Sequence, residues 1–146
     1  MENNGKATRD VLAARWSEVG DKVVALAAEF PAAEYEFRPV DGVRSFGEQL
    51  RHVAFWNEYV AKTLRGEEAD GSANELSRES APTKDALVSA LRASFDGVGR
   101  QIAGGAPHTA VGDVDSLVSF IEHGGEHYGQ LVVYYRLNGL VPPASR

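Results

Sequence analysis

Residues 120–143 read FIEHGGEHYGQLVVYYRLNGLVPP. Taken back one turn, the stretch sets Leu117, Ile121, Gly124, Tyr128, Leu131 and Tyr135 on one face of a helix at about 100° per residue, the pattern of an element that packs into a core. Its end is marked too, because Asn138-Gly139 is a C-terminal stop signal and Pro142-Pro143 forbids continuation. Inside it, Gly124 and Gly125 interrupt the helix between His123 and His127. Each interior glycine costs about 1 kcal/mol relative to alanine, so each needs a reason in packing or chemistry. Gly124 falls on the core stripe, where a missing side chain lets a neighbouring helix come close; Gly125 faces outward.

Three further stretches carry the same period. Leu12, Trp16, Val19, Val23, Leu26 and Phe30 step by four, three, four, three and four, predicting a helix from residue 8 to about 30 that stops at Pro31. Ser45-Phe-Gly-Glu48 is a capping box, and the helix it starts runs to Gly66 with Phe46, Leu50, Val53, Val60 and Leu64 inward. A third helix follows Pro82 and Thr83, presents Leu87, Leu91, Phe95, Val98 and Ile102, and stops at Gly104-Gly105. The fourth, already described, starts near Asp113 or Asp115, both good N-cap types. Residues 66–81, GEEADGSANELSRESA, are polar and aperiodic and read as a mobile surface connection that function could use as a lid. No strand pattern competes. The expectation is an all-α, antiparallel four-helix bundle, with residues 1–146 forming a single domain.

Composition narrows the function. At 43% hydrophobic, 146 residues bury a sufficient core, and a net charge of −6 without a basic stripe argues against nucleic acid as a partner. No apolar run approaches membrane-spanning length, and MENNGKATRD lacks the pattern of a secretory leader, so no membrane is expected and a cytoplasmic location is the default. The chain has no cysteine, which excludes disulfides, thiolate ligands and a protein-borne sulfur nucleophile. Any sulfur chemistry requires an external thiol.

Of four histidines, His52 lies on the second helix, His123 and His127 on the fourth, and His108, beside Pro107 in a loop, reads as a plain surface residue. His123 and His127 are about 40° apart on one face, a chelating pair, with Phe120, Gln130 and Tyr134 on the same stripe. His-x3-His alone is equally met by two histidines with ordinary hydrogen-bonded neighbours. His52 shifts the reading, because it too lies beside a core stripe, among Glu48, Gln49, Trp56 and Tyr59. Three neutral imidazoles from two helices form a facial ligand set with positions left open, the arrangement of a catalytic metal site. His123-Gly-Gly-Glu126-His127 also fits the H-x-x-E-H pattern of inverted zinc peptidases, with Glu126 as base. No third ligand follows downstream, however, and Glu126 points about 80° from the centre of the pair, so it reads as a solvated charge. Candidate catalytic residues are Glu48, to which the capping box already gives a structural task, Gln130 and Tyr134; Tyr59 reads mainly as packing.

Two stretches together resemble the DinB family, the DinB/YfiT-like superfamily of small four-helix metalloproteins. They are YEFRPVDGVRSFGEQLRHVAFWNEYV, residues 35–60, with its Arg-Ser-Phe-Gly-Glu-Gln-Leu-x-His run, and EHGGEHYGQLVVYYRLNGLVPP, residues 122–143. The resemblance implies a four-helix bundle with the same helix order and a divalent metal held by His52, His123 and His127. Three imidazoles suit zinc, nickel or iron. It also implies a homodimer, for which Gly125 and Gly129 offer a small-residue face on the fourth helix. Some relatives are transferases that join a small thiol such as bacillithiol to an electrophile, or isomerases that use mycothiol, and many have no known reaction. The resulting expectation is a metal-dependent enzyme acting on a small molecule, a thiol-dependent transferase with a low-molecular-weight thiol as co-substrate. The same ligand set also serves a metal-dependent hydrolase, and a non-catalytic ligand-binding or stress-related bundle is a reading from another class.

Overall fold

The computed structural model describes the backbone of residues 2–105 and 111–146, with side chains from 5 to 105 and from 114 onward. His108, read from sequence as a surface loop residue, lies outside the described residues. Four helices carry the fold: α1 (Glu2–Glu29), α2 (Phe46–Leu64), α3 (Lys84–Ala103) and α4 (Val111–Leu137), with 3-10 turns at Ala32–Glu34 and Pro143–Ser145. No strand occurs among the described residues, so the all-α four-helix bundle expected from sequence is the fold. None of these helices is long and apolar enough to cross a membrane.

The helix boundaries follow local chemistry. At α2 both halves of the capping box form, with Ser45 Oγ accepting from the Glu48 N–H at 3.2 Å and Glu48 Oε2 accepting from the Ser45 N–H at 2.9 Å. Thr83 caps α3 through the Ala86 N–H. Gly139 closes α4 at φ +71°, with Leu140 N–H bonded back to the Tyr135 carbonyl, so the left-handed conformation that glycine tolerates satisfies a terminal acceptor. Two ends differ from the sequence reading. Because adding residues to a formed helix is inexpensive, α1 extends back past residue 8 to Glu2, helped by the exposed Lys6–Asp10 pair one turn apart. The fourth helix begins at Val111, so Asp113 and Asp115 lie inside it instead of capping it.

Helix directions can be read from side-chain bridges. Lys84, at the start of α3, reaches the Phe30 carbonyl just past α1, and Tyr135, late in α4, donates to the Leu26 carbonyl late in α1. Arg51, early in α2, donates to the Ala81 carbonyl just before α3, and Asn57 donates to Ser94. Gln49, near the start of α2, meets Gln130 and Tyr134 near the end of α4. The order is therefore up, down, down, up, so the antiparallel arrangement expected from sequence holds for two of the four neighbouring pairs. α1 and α2 each pack on both α3 and α4; antiparallel neighbours are α1–α3 and α2–α4, and parallel ones are α2–α3 and α1–α4. At one end Phe30 stacks on Phe46 with ring centroids 3.8 Å apart, and Tyr35, Tyr134 and Tyr135 close around them.

The connection after α2 is not the free segment its composition suggests. Leu76 N–H bonds the Arg51 carbonyl, Arg44 pairs with Glu75, Arg78 pairs with Glu36 and Glu48, and Ala81 is buried. This strap lies along α2 and brings Asn74 to the α2–α4 face.

Gly124 also has its packing reason, because a Cβ added there would stand 3.1 Å from Val19 Cγ2 on α1. Val19 is β-branched and holds one rotamer on a helix, so it cannot swing aside. Gly124→Ala gains about 1 kcal/mol of helix propensity but incurs an overpacking cost of about 1–3 kcal/mol, and its thermal midpoint falls. Gly99→Ala on α3 meets nothing within 4 Å and its midpoint rises, by about 3 °C. Calorimetry on the two variants shows opposite signs.

Candidate metal centre

His52 on α2 and His123 and His127 on α4 converge across the antiparallel α2–α4 contact. One ring nitrogen from each lies within 4.8 Å of the others, and no second such group occurs among the described residues. His52 Nε2 and His123 Nε2 are 3.0 Å apart.

The hydrogen-bond partners fix which nitrogens are free. His52 Nδ1 is 2.8 Å from the Asn74 carbonyl oxygen, an atom that only accepts, so Nδ1 carries the hydrogen and Nε2 keeps its lone pair. His127 Nδ1 is 2.5 Å from Gln49 Oε1, with the same consequence. Gln49 is oriented in turn, because its Nε2 donates to Gln130 Oε1 at 2.7 Å and to Tyr134 Oη at 3.3 Å, and Tyr134 donates on to the Arg44 carbonyl. His123 Nδ1 is buried without a partner. A proton on His123 Nε2, or a cation shared with His52, relieves the close approach of the two nitrogens. At ~2.1 Å per bond, two imidazoles on one ion stand about 3.0 Å apart at a right angle and about 3.4 Å in a tetrahedron, so the pair lies at the close end of what a shared divalent ion accepts. Acceptors behind two of three ligands are the support that metal-binding histidines ordinarily have.

The electrostatics agree with nitrogen ligation. Burial lowers His127 to about 3 and His123 to about 4, with neighbouring histidines adding to the shift in each, and burial also lowers His52. All three are neutral at pH 7, the state in which imidazole binds a metal.

The remaining sequence candidates separate clearly. Tyr134 is buried; its hydroxyl accepts from Gln49 Nε2, and its ring packs on Phe37 and Phe46. Gln130 is exposed on its outer side but engages Gln49. Glu48 contacts Ser45, Arg38 and Arg78 and no site histidine; the Arg38 guanidinium beside it holds it down at about 2. Glu126 is exposed, as its wheel position indicated, and Tyr59 lies against Trp56 with centroids 4.9 Å apart. Gln49 and Asn74 are the residues the sequence reading did not single out. For Gln49 a signal existed, because it sits one helical turn before His52 on the same side of α2.

A protein-family model described as the DinB superfamily matches residues 15–131, a span that includes His52, His123 and His127. The chain belongs to the DinB superfamily. No curated protein and no solved structure gives a significant match. The DinB match and the three-histidine cluster together fit a metal-binding protein.

The contacts of Glu48 predict a structural phenotype. Its folded pKa lies below the ordinary 4.5, so its stabilisation is complete above pH 4.5 and is lost as pH falls toward about 2. Glu48→Gln should lose about 1 kcal/mol at pH 7 through the cap, flatten stability between pH 4.5 and 2, and retain metal. Urea unfolding against pH with metal analysis checks this.

Proposed function

We propose that this DinB protein is a divalent-metal-dependent enzyme that transfers a small external thiol to an electrophile. The observation that carries the reading is the set of three neutral ring nitrogens within 4.8 Å, two with lone pairs fixed by acceptors behind them. His52, His123 and His127 would hold the ion, with zinc, nickel and iron all suited to imidazole. When bound, such an ion supplies the charge that lets a thiol or water ionise near pH 7.

In the transfer, the thiol loses its proton to solvent water and its sulfur electron pair forms a bond to the electrophilic carbon. The leaving group departs with the electrons of its own bond. Residues of the chain prepare that step. Gln49 holds His127 in one tautomer, the Asn74 carbonyl does the same for His52, and Tyr134 orients Gln49. With no cysteine in the chain, the sulfur comes from the co-substrate. Water in place of the thiol would make the protein a hydrolase, and turnover of neither would leave a binding protein.

Purified protein should carry close to one divalent ion per chain. His52→Ala, His123→Ala and His127→Ala should each remove it, and Gln49→Leu should weaken binding about 10–100-fold while preserving the fold. Full metal content in all three histidine variants would sink the site. A panel of small thiols and electrophiles assayed on loaded protein then tests the transferase reading, and ester or amide hydrolysis without thiol would replace it.

The outer face of α4 supports a homodimer. At Gly125 and Gly129 an added Cβ would meet nothing within 4 Å, so a second helix has room to approach. Sedimentation should give twice the 15.7 kDa chain mass, and a purely monomeric boundary would remove this contact.

A further inference from the structure

Trp56 and Phe120 stand beside the histidines as large, half-buried aromatic side chains. Their centroids are 6.3 Å apart with rings tilted by 34°; Trp56 lies 6.4 Å from His52, and Phe120 sits edge-on to His123 at 6.1 Å. They form the walls of a cleft of about 400 Å³ lined by His52, Trp56, Asn74, Ser119, Phe120 and His123. That lining contains no lysine, arginine, aspartate or glutamate. A different opening on the other side of Gln49 is lined by Arg38, Arg44 and Glu75. Charged side chains therefore line the second opening and not the first.

The aromatic wall is built with care. Trp56 Nε1 donates to Asn74 Oδ1 at 2.8 Å, which fixes the indole, while the same Asn74 uses its carbonyl on His52. Asn74 adopts φ +61°, a left-handed conformation for which asparagine is enriched among non-glycine residues. A Cβ at position 71 would stand 2.8 Å from Trp56 Cη2, so glycine there lets the strap lie on the ring. Ordered apolar walls with a few polar groups, open beside reactive atoms, are what a substrate pocket presents.

We propose that this cleft receives the electrophilic co-substrate and selects a flat aromatic or unsaturated skeleton, with Trp56 and Phe120 as binding residues and Asn74 as the positioning residue of Trp56. The assignment of the occupant as the electrophile rests on the thiol-transfer reading; the selectivity of the cleft does not.

The cleft can be read without turnover. Trp16, the other tryptophan, is buried between α1 and α3 with its Nε1 bonded to the Phe95 carbonyl, so Trp56 is the responsive fluorophore. Metal-loaded protein titrated with 1,3-dinitrobenzene, flat and uncharged, should show saturable quenching that disappears in Trp56→Phe. Phe120→Ala should weaken binding about tenfold. If alanine unfolds the chain, Phe120→Leu keeps apolar volume without the ring and should weaken binding several-fold. Asn74→Gly keeps the left-handed backbone and the carbonyl but releases the indole, and should shift Trp56 emission and weaken binding while leaving metal content intact. With 1-chloro-2,4-dinitrobenzene and a thiol panel, Phe120→Leu should raise KM more than it lowers kcat. Saturable, Phe120-dependent binding without turnover of any thiol would uphold the cleft and sink the transferase reading. No saturable binding, or turnover with KM unchanged in the Phe120 variants, would overturn the cleft.

Discussion

The amide of Gln49 is the interaction on which the site depends. It is buried between α2 and α4, and its oxygen accepts from His127 while its two hydrogens go to Gln130 and Tyr134. A buried amide left partly unpaired costs about 1–3 kcal/mol, so full satisfaction of this one locks the register of the two helices that carry the ligands. Tyr134 then extends the chain to the Arg44 carbonyl, immediately before the Ser45 cap of α2. The start of α2, the end of α4 and the tautomer of His127 are therefore set together.

The other two helices serve this pair. α1 and α3 meet through Trp16, whose indole donates to the Phe95 carbonyl, and α2 is pinned to α3 by the buried Asn57–Ser94 contact. α1 presses closely on α4 at Gly124, one residue after His123, so the first glycine of the His-Gly-Gly-Glu-His run is explained by helix approach. The ligand pair thus sits on a segment of α4 supported from behind by α1 and faced by α2.

The core stripes were legible because burial writes itself into a sequence with the helical period, and Leu12 through Ile102 at the expected positions are buried with few exceptions. The histidine pair was legible for the same reason, since four residues apart on a helix means neighbouring in space. The parallel run of α2 and α3 was less visible. α2 is 19 residues, about 28 Å long, whereas residues 65–83 span about 60 Å when extended, enough to return the full helix length before α3 begins. Linker length permits that path but does not choose it. Part of the anchoring of the strap had no signal, because Asn74 and Ala81 accept through backbone carbonyls that every residue possesses. Polar composition, which reads as mobility, is here partly consumed by pairing: Glu75 goes to Arg44, and Arg78 to Glu36 and Glu48.

Asn74 ties this strap to the chemistry. Its backbone oxygen decides that His52 presents Nε2, and its side chain decides where Trp56 stands. A strap lifted from α2 would release both the ligand tautomer and the aromatic wall, and it would separate Arg44 from Glu75 beside the Tyr134 acceptor. Metal affinity and the shape of the aromatic cleft are consequently not independent properties of this fold. An ion held by three neutral imidazoles would also stabilise the strap over α2, since ligand binding to the ordered state favours that state by mass action. The loop that composition marks as the loosest part of the chain is the part to which an ion at the three histidines would be linked through Asn74.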